Sequence, residues 1–184
     1  MTEPSVIAPI ALFVYSRPWH TQQTIEALQK NVLASESDLF IFSDAPKNPE
    51  VDATVQEVRE YIKTVDGFKS VSIVERDENF GLANSIIDGS TKIINNYGRT
   101  IVLEDDLIVS IDFLEYMNEA LNRYEINKNI WSITGYSPNI ENINSSKDLY
   151  LSPRGSSWSW ATWKDRWDII DWKITDFNNI KNDK

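Results

Sequence analysis

The sequence predicts an α/β protein, a three-layer α/β/α sandwich with a mostly parallel central sheet. Three observations carry that expectation. Short apolar runs with high β propensity recur along the chain, and stretches with apolar residues at helical spacing separate them. Strands joined through helices pair in parallel, with helices covering both sheet faces. The fourth apolar run, Ile101-Val102-Leu103, then ends in three adjacent carboxylates, Glu104-Asp105-Asp106. No core accepts such a triplet unless a cation sits among its members.

The elements follow in order. Pro9 to Ser16 reads as a buried first strand, broken by Arg17-Pro18. The next helix places Ile25, Leu28 and Val32 on one face. Asp38 to Ser43 is a second strand, running into a loop that holds Asp44, Pro46 and Pro49. Val55, Val58, Ile62 and Val65 form the stripe of a second helix, which the Asp66-Gly67 turn ends. Ser70 to Val74 is a third strand, and Asn79-Phe80-Gly81 a tight connection. Apolar pairs at Leu82-Ala83, Ile86-Ile87 and Ile93-Ile94 predict a broadly buried third helix, with Gly98 as its left-handed cap. Arg99 to Leu103 is the fourth strand. Leu114, Met117, Leu121 and Tyr124 line the following helix, for which Asp112 can act as cap. Ile130 to Thr134 is a fifth strand and Leu149 to Leu151 a sixth. In the tryptophan-rich end, Trp160, Trp163 and Trp167 have the spacing of a C-terminal helix that packs its indoles inward.

Composition sets outer bounds. The 184 residues suit one domain, and no repeat or low-complexity linker divides them. A net charge of −10 argues against nucleic acid and against electrostatic attachment to anionic lipid. There is no cysteine, hence no disulfide or thiolate metal site. No run approaches the ~20 apolar residues of a membrane span. Met1-Thr2-Glu3-Pro4 lacks the basic start of a signal peptide, so the expected location is the cytoplasm, with peripheral association at the inner membrane compatible with it. His20 is the sole histidine, and nothing around it suggests a nucleophilic triad.

Ligands of open α/β sheets bind beyond the carboxyl ends of the strands. Four segments fall there: Ser16-Arg17-Pro18, Ser43-Asp44-Ala45, Arg76 to Gly81, and Glu104-Asp105-Asp106. Arginine pairs with phosphate, a lone Asp can accept from a base N–H or ribose hydroxyl, and clustered acids suit a hard divalent ion that bridges a diphosphate. That inventory fits a nucleotide diphosphate. The sequence has neither GxGxxG nor GxxxxGK[ST], which argues against a dinucleotide dehydrogenase or a P-loop enzyme. Gly155-Ser156-Ser157 beside Trp158 adds backbone donors next to a flat apolar ring, a surface sugars favour.

In these segments the chain resembles the GT-A-fold glycosyltransferases, near the family 2 type and N-acetylglucosaminyltransferase I. The likeness runs through ALFVYSRPWHTQQTIEAL, FSDAP, NFGLANSI, IVLEDDLIVSIDFLEYM and SPRGSSWSWATW, nearly the whole chain. It implies a single GT-A-like domain over residues 1–184. It further implies that Arg17 lies near the donor phosphates, that Asp44 contacts the uracil or ribose of a UDP-linked donor, and that Asn79 and Gly81 shape the nucleotide pocket. Glu104 would touch the donor sugar, Asp105 the ribose or sugar, and Asp106 would hold Mn²⁺ or Mg²⁺. Gly155 to Trp158 would border the donor sugar and the acceptor. The implied reaction is inverting transfer to a glycan or lipid-linked acceptor, serving bacterial surface polysaccharide.

The chain departs from the family pattern at the general base. The corresponding position falls near Phe177-Asn178, where no carboxylate stands. Asp165, Asp168, Asp171 and Asp176 are nearby without a supporting motif, so the base is unassigned. The expectation is that the acceptor-side C-terminal part is truncated. Two other classes compete: a nucleotidyltransferase, which would usually show a Gly-rich basic signature where Ser16-Arg17-Pro18-Trp19 stands, and a non-catalytic nucleotide-sugar-binding module.

Overall fold

A computed structural model describes residues 6–138 and 149–175. Its center is one six-stranded sheet of order β3-β2-β1-β4-β6-β5. The strands are β1 (Ile10–Val14), β2 (Asp38–Ser43), β3 (Ser70–Glu75), β4 (Arg99–Glu104), β5 (Ile133–Thr134) and β6 (Trp160–Trp163). β1 pairs in parallel with β2 and β4, and β2 with β3, while β6 runs antiparallel to both β4 and β5. The helices are α1 (Pro18–Gln29), α2 (Asp52–Ile62), α3 (Leu82–Tyr97), α4 (Phe113–Tyr124) and the single-turn α5 (Lys164–Trp167).

Alternation along the strands divides the core between the two faces. Ile10, Leu12, Val14, Ile101 and Leu103 face one side, where Ile25 and Leu28 of α1, Val58 and Ile62 of α2, and Leu114, Met117 and Leu121 of α4 meet them. Ala11, Phe13, Phe42 and Val102 face the other, against Ile93 of α3. The chain moves outward from β1 to β3 with α1 and α2 on one face, then returns across the sheet to β4 through α3 on the opposite face. Right-handed crossovers require that change of face when the direction reverses.

The four parallel strands lie where the sequence places them: β1, β2 and β4 are apolar runs between turn signals, and β3 mixes serines with Val71, Ile73 and Val74 between two turns. Several details differ. Leu149–Leu151 is not a strand, and the sixth strand is Trp160–Trp163. The predicted C-terminal indole helix is therefore replaced by a strand and one helical turn. Trp160 packs on the α3 face while Trp163 joins the opposite core. The fifth strand is reduced to Ile133–Thr134. Val32 lies beyond the end of α1 and is exposed, and the first turn of α3 is likewise exposed at Leu82. Asp112 occupies the N-cap position of α4 but makes no side-chain cap. Asn31, just past α1, supplies it instead: its Oδ1 accepts from Leu114 N–H at 2.9 Å. Asn118 similarly ties α4 to the start of β1, accepting from Ala8 N–H at 2.7 Å.

Candidate active site

Val14, Ser43, Glu75 and Glu104 end the four parallel strands on one edge of the sheet. Three groups of side chains occupy that edge. The first joins β1 to β4, the pair at which the strand order reverses. Arg17 leaves β1 and closes on the acid triplet. Its Nη2 donates to Asp105 Oδ1, and its Nη1 to Asp106 Oδ2 at 2.9 Å. Asp105 is buried, and its Oδ2 accepts from Tyr15 N–H at 3.2 Å. The cation that three adjacent acids require is thus a residue of the chain itself.

The charges of this group follow from its burial. Burial works against the Arg17 charge, but Asp105 and Asp106 outweigh it and hold the guanidinium pKa above its ordinary value. Burial raises the Asp105 pKa, with Arg17 and the Tyr15 N–H pulling the other way. Glu104 is raised by burial first and then by the negative charge of Asp106 and Asp105.

The second group locks the β2 exit loop to the start of α3. Asp44, also buried, accepts from Ala45 N–H at 3.0 Å and Phe80 N–H at 2.9 Å through Oδ1, and from Gly81 N–H at 2.9 Å through Oδ2. Asn79 Nδ2 donates to the Ala45 carbonyl at 2.6 Å. Gly81 is the α3 N-cap with φ of 70°, a backbone that suits glycine. Arg76 lies over the Phe80 ring, 4.0 Å from its centroid, and is anchored to Asp88 at 2.9 Å. Tyr15 links the two groups: its N–H reaches Asp105, and its hydroxyl accepts from Lys47 N–H at 2.9 Å.

The third group lies at the ends of β5 and β6. There the exposed rings of Trp158 and Tyr136 meet with centroids 4.5 Å apart. The residues expected from the sequence therefore form three clusters along one edge: Arg17, Asp105 and Asp106, with Glu104 ending β4 beside them; Asp44, Asn79 and Gly81; and Trp158. The sequence alone does not single out Tyr15, at the end of an apolar run, or Tyr136, in a Gly-Tyr-Ser-Pro turn, since neither carries a motif. It also left Asp44 free for a ligand, whereas its carboxylate is largely spent on backbone N–H groups that were invisible in a linear reading.

Asp165 and Asp168 lie far along the sheet from Glu104. α5 starts beside Gly98, where Lys164 N–H donates to the Gly98 carbonyl at 2.8 Å, at the amino end of β4. Asp165 pairs with Lys128 and Arg166, and Asp168 with Lys164. Asp171 accepts from Thr175 and the Lys173 N–H. Asp176, Phe177 and Asn178 lie outside the described residues.

Among the described residues, no group of three His, Asp or Glu side chains is placed to hold a metal. A cage made by protein alone does not fit. A shared site does, in which one or two carboxylates bind Mn²⁺ or Mg²⁺ and substrate phosphates complete the shell. Asp106 is the acid of the triplet that suits it, since its side chain is 39% exposed where that of Asp105 is 3%. Among the described residues, no helix is long and apolar enough to cross a membrane.

The architecture is a GT-A-like α/β/α fold. A crystal structure from Desulfovibrio desulfuricans G20, described as a candidate nucleotide-diphospho-sugar transferase, superposes with a TM-score of 0.53 at 14% identity, covering 91% of this chain and 70% of that one. A 4-diphosphocytidyl-2C-methyl-D-erythritol synthase from Anaerococcus prevotii DSM 20548 gives 0.49 at 11% identity, covering 96% and 84%. No family model matches the sequence, and no curated protein matches it significantly.

Proposed function

We propose that this chain is a glycosyltransferase that moves a sugar from a UDP-type nucleotide-sugar donor to a glycan or lipid-linked acceptor. The observation that carries the reading is the meeting of Arg17 with Asp105 and Asp106 at the carboxyl edge, where the strand order reverses. Ligands of open α/β sheets bind in that place. A diphosphate there would find the Arg17 guanidinium beside it. Asp106 is the residue that would hold Mn²⁺ or Mg²⁺, and a bound ion would supply positive charge to the leaving diphosphate. The Asp44–Asn79–Gly81 junction forms the nucleoside side, where Asp44 orders the loop and keeps acceptor capacity on Oδ2 for a base or ribose hydrogen. Glu104 faces the donor sugar, with Asp105 behind it orienting Arg17. Transfer is read as inverting, by direct attack of an acceptor hydroxyl on the anomeric carbon. Asp165 and Asp168 are at the wrong end of the sheet to take the proton.

Calorimetry with UDP, GDP and CDP, with and without Mn²⁺, tests the donor. Mn²⁺-dependent UDP binding that Asp106→Asn abolishes is expected. Binding that persists unchanged in that variant sinks the metal assignment. Product analysis separates chemistries: release of UDP with a new glycoside marks sugar transfer, and release of pyrophosphate marks a nucleotidyltransferase.

A further inference from the structure

We propose that the outer edge of β3 is an interface on which two copies of this chain pair, β3 against β3, antiparallel across a two-fold axis at Ser72. The sheet has two edges, and they are built differently. β5 is a strand of two residues, the short kind of edge by which proteins avoid unwanted pairing. β3 runs for six residues, Ser70–Glu75, as long as β2 and β4 inside the sheet. Among the described residues its sole strand neighbour is β2. It holds no proline, and no charge before Glu75 at its end. The devices that blunt a long edge strand are therefore missing from it, while its outward backbone N–H and C=O groups have no ladder partner.

The strand and its flanks complement themselves. Lys69 precedes it, Glu75 ends it and Asp77 follows, and all three are exposed. A strand that is basic at its start and acidic at its end matches a second copy in the antiparallel sense, whereas parallel pairing would set like charges together. A two-fold axis normal to the sheet keeps each residue opposite one on its own face. Centred on Ser72, the axis sets Lys69 against Glu75 of the second copy, with Asp77 on the diagonal and within reach of a long side chain. It also sets Val71 against Ile73 of the second copy. Both are half-buried beside the α1–α2 core, and the second copy lengthens that apolar strip. An axis centred on Ile73 would instead oppose Val71 to the Glu75 carboxylate.

Both members of the charge pair have capacity to spare. Lys69 Nζ donates to Asp38 Oδ2 at 3.0 Å, with its side chain 60% exposed, and an ammonium group has three hydrogens to give. Glu75 lies 3.6 Å from Arg59 and 3.7 Å from Lys63, beyond the usual hydrogen-bond length. A contact of this symmetry uses the same patch on both copies and closes after two, so it yields a dimer and no open chain. The strands of the two copies run in opposite directions, and their candidate sites open at opposite ends of the shared sheet.

Sedimentation velocity of the full chain over a range of concentrations tests the interface. A concentration-dependent shift from the mass of one chain to twice that mass is expected. Lys69→Glu sets acid against acid at both ends of the pairing, and Glu75→Lys sets base against base. Each alone should weaken self-association about tenfold. Mixed in equal amounts, the two variants should recover it, because each supplies the charge the other needs. Ser72→Lys brings two ammonium groups together on the axis and should weaken association as well. Amide exchange in the unmutated chain, which depends on no variant folding, should slow at β3 as concentration rises and stay constant at β5. A chain that is monomeric at every concentration overturns the interface. So does association that all three variants leave unchanged, a mixture of folded variants no better than its components, or slowed exchange that spares β3.

Discussion

Asp44 accepts three backbone N–H groups, and a carboxylate offers about four acceptor positions in all. It acts as a cap supplied from β2 to the entry of α3, where the first N–H groups of a helix have no internal partner. Asp44→Asn keeps the shape but turns one oxygen into a donor that faces backbone donors. The expected cost is about 1–3 kcal/mol, read by urea unfolding, with faster amide exchange at Phe80 and Gly81. If Asp44 also reads the base, UDP affinity should fall by more than the loosened loop explains, and Phe80 and Gly81 exchange separates the two. Unchanged stability and exchange would show that the N–H groups find other acceptors.

At the scale of elements, β1, β2 and β4 were legible because burial on both faces leaves an apolar run that turn residues bound, and the edge strand β3 because Val and Ile recur among serines between two turns. The tryptophan-rich end was not. Trp160, Trp163 and Trp167 repeat at helical spacing, yet Trp160 and Trp163 are three apart in a strand and so point to opposite faces. Trp160 then stacks on Trp167 across the strand-to-helix corner, centroids 5.5 Å apart, a tertiary contact that imitates a helical period. Of the candidate site, the acid triplet and the loops after the strands could be read, because charge at the end of an apolar run is conspicuous in one dimension. The partners of Asp105 and Asp44 could not, because they come from other strands. Arg166 was missed for the same reason. It is buried against Trp163 and gives hydrogen bonds to the carbonyls of Tyr124, Glu125, Asn127 and Ile130, which close the end of α4 and lead to β5. Arg166→Met fills the space but leaves those acceptors without the guanidinium. A loss of about 2–3 kcal/mol is expected, with faster amide exchange in the last turn of α4. Metal-dependent UDP binding should survive, since Arg166 sits at the opposite end of the sheet from Asp106. A variant as stable as the parent would show that solvent satisfies those carbonyls.

For the whole molecule, the pairing of Arg17 with Asp105 closes the sheet edge at its center, joining the exit of β1 to the exit of β4. Arg17→Gln leaves Asp105 buried with only the Tyr15 N–H. Removing one partner of a fully buried pair costs 3–5 kcal/mol, but the Arg17 side chain is 45% exposed. Solvent screening reduces the expected loss to about 1–2 kcal/mol at neutral pH. The pH dependence gives the sign. Burial already raises the Asp105 pKa, and without Arg17 the downward pull is gone, so it rises further. The native state then holds a proton that the unfolded chain releases, and stability falls as pH rises through that window. The deficit of Arg17→Gln should therefore be largest above the raised Asp105 value. It should shrink as pH falls below that raised value, where the native variant holds the proton, and be smallest below the ordinary carboxylate range, where Asp105 is protonated in both states. Asp105→Asn removes the charge while its Oδ1 can still accept from Tyr15. In that background Arg17→Gln should cost much less, giving a coupling of about 1 kcal/mol or more for groups in direct contact. Urea unfolding of the four forms at pH 8 and pH 5 measures it. Strictly additive losses, equal at both pH values, would mean that the ion pair contributes nothing to the closure of this edge.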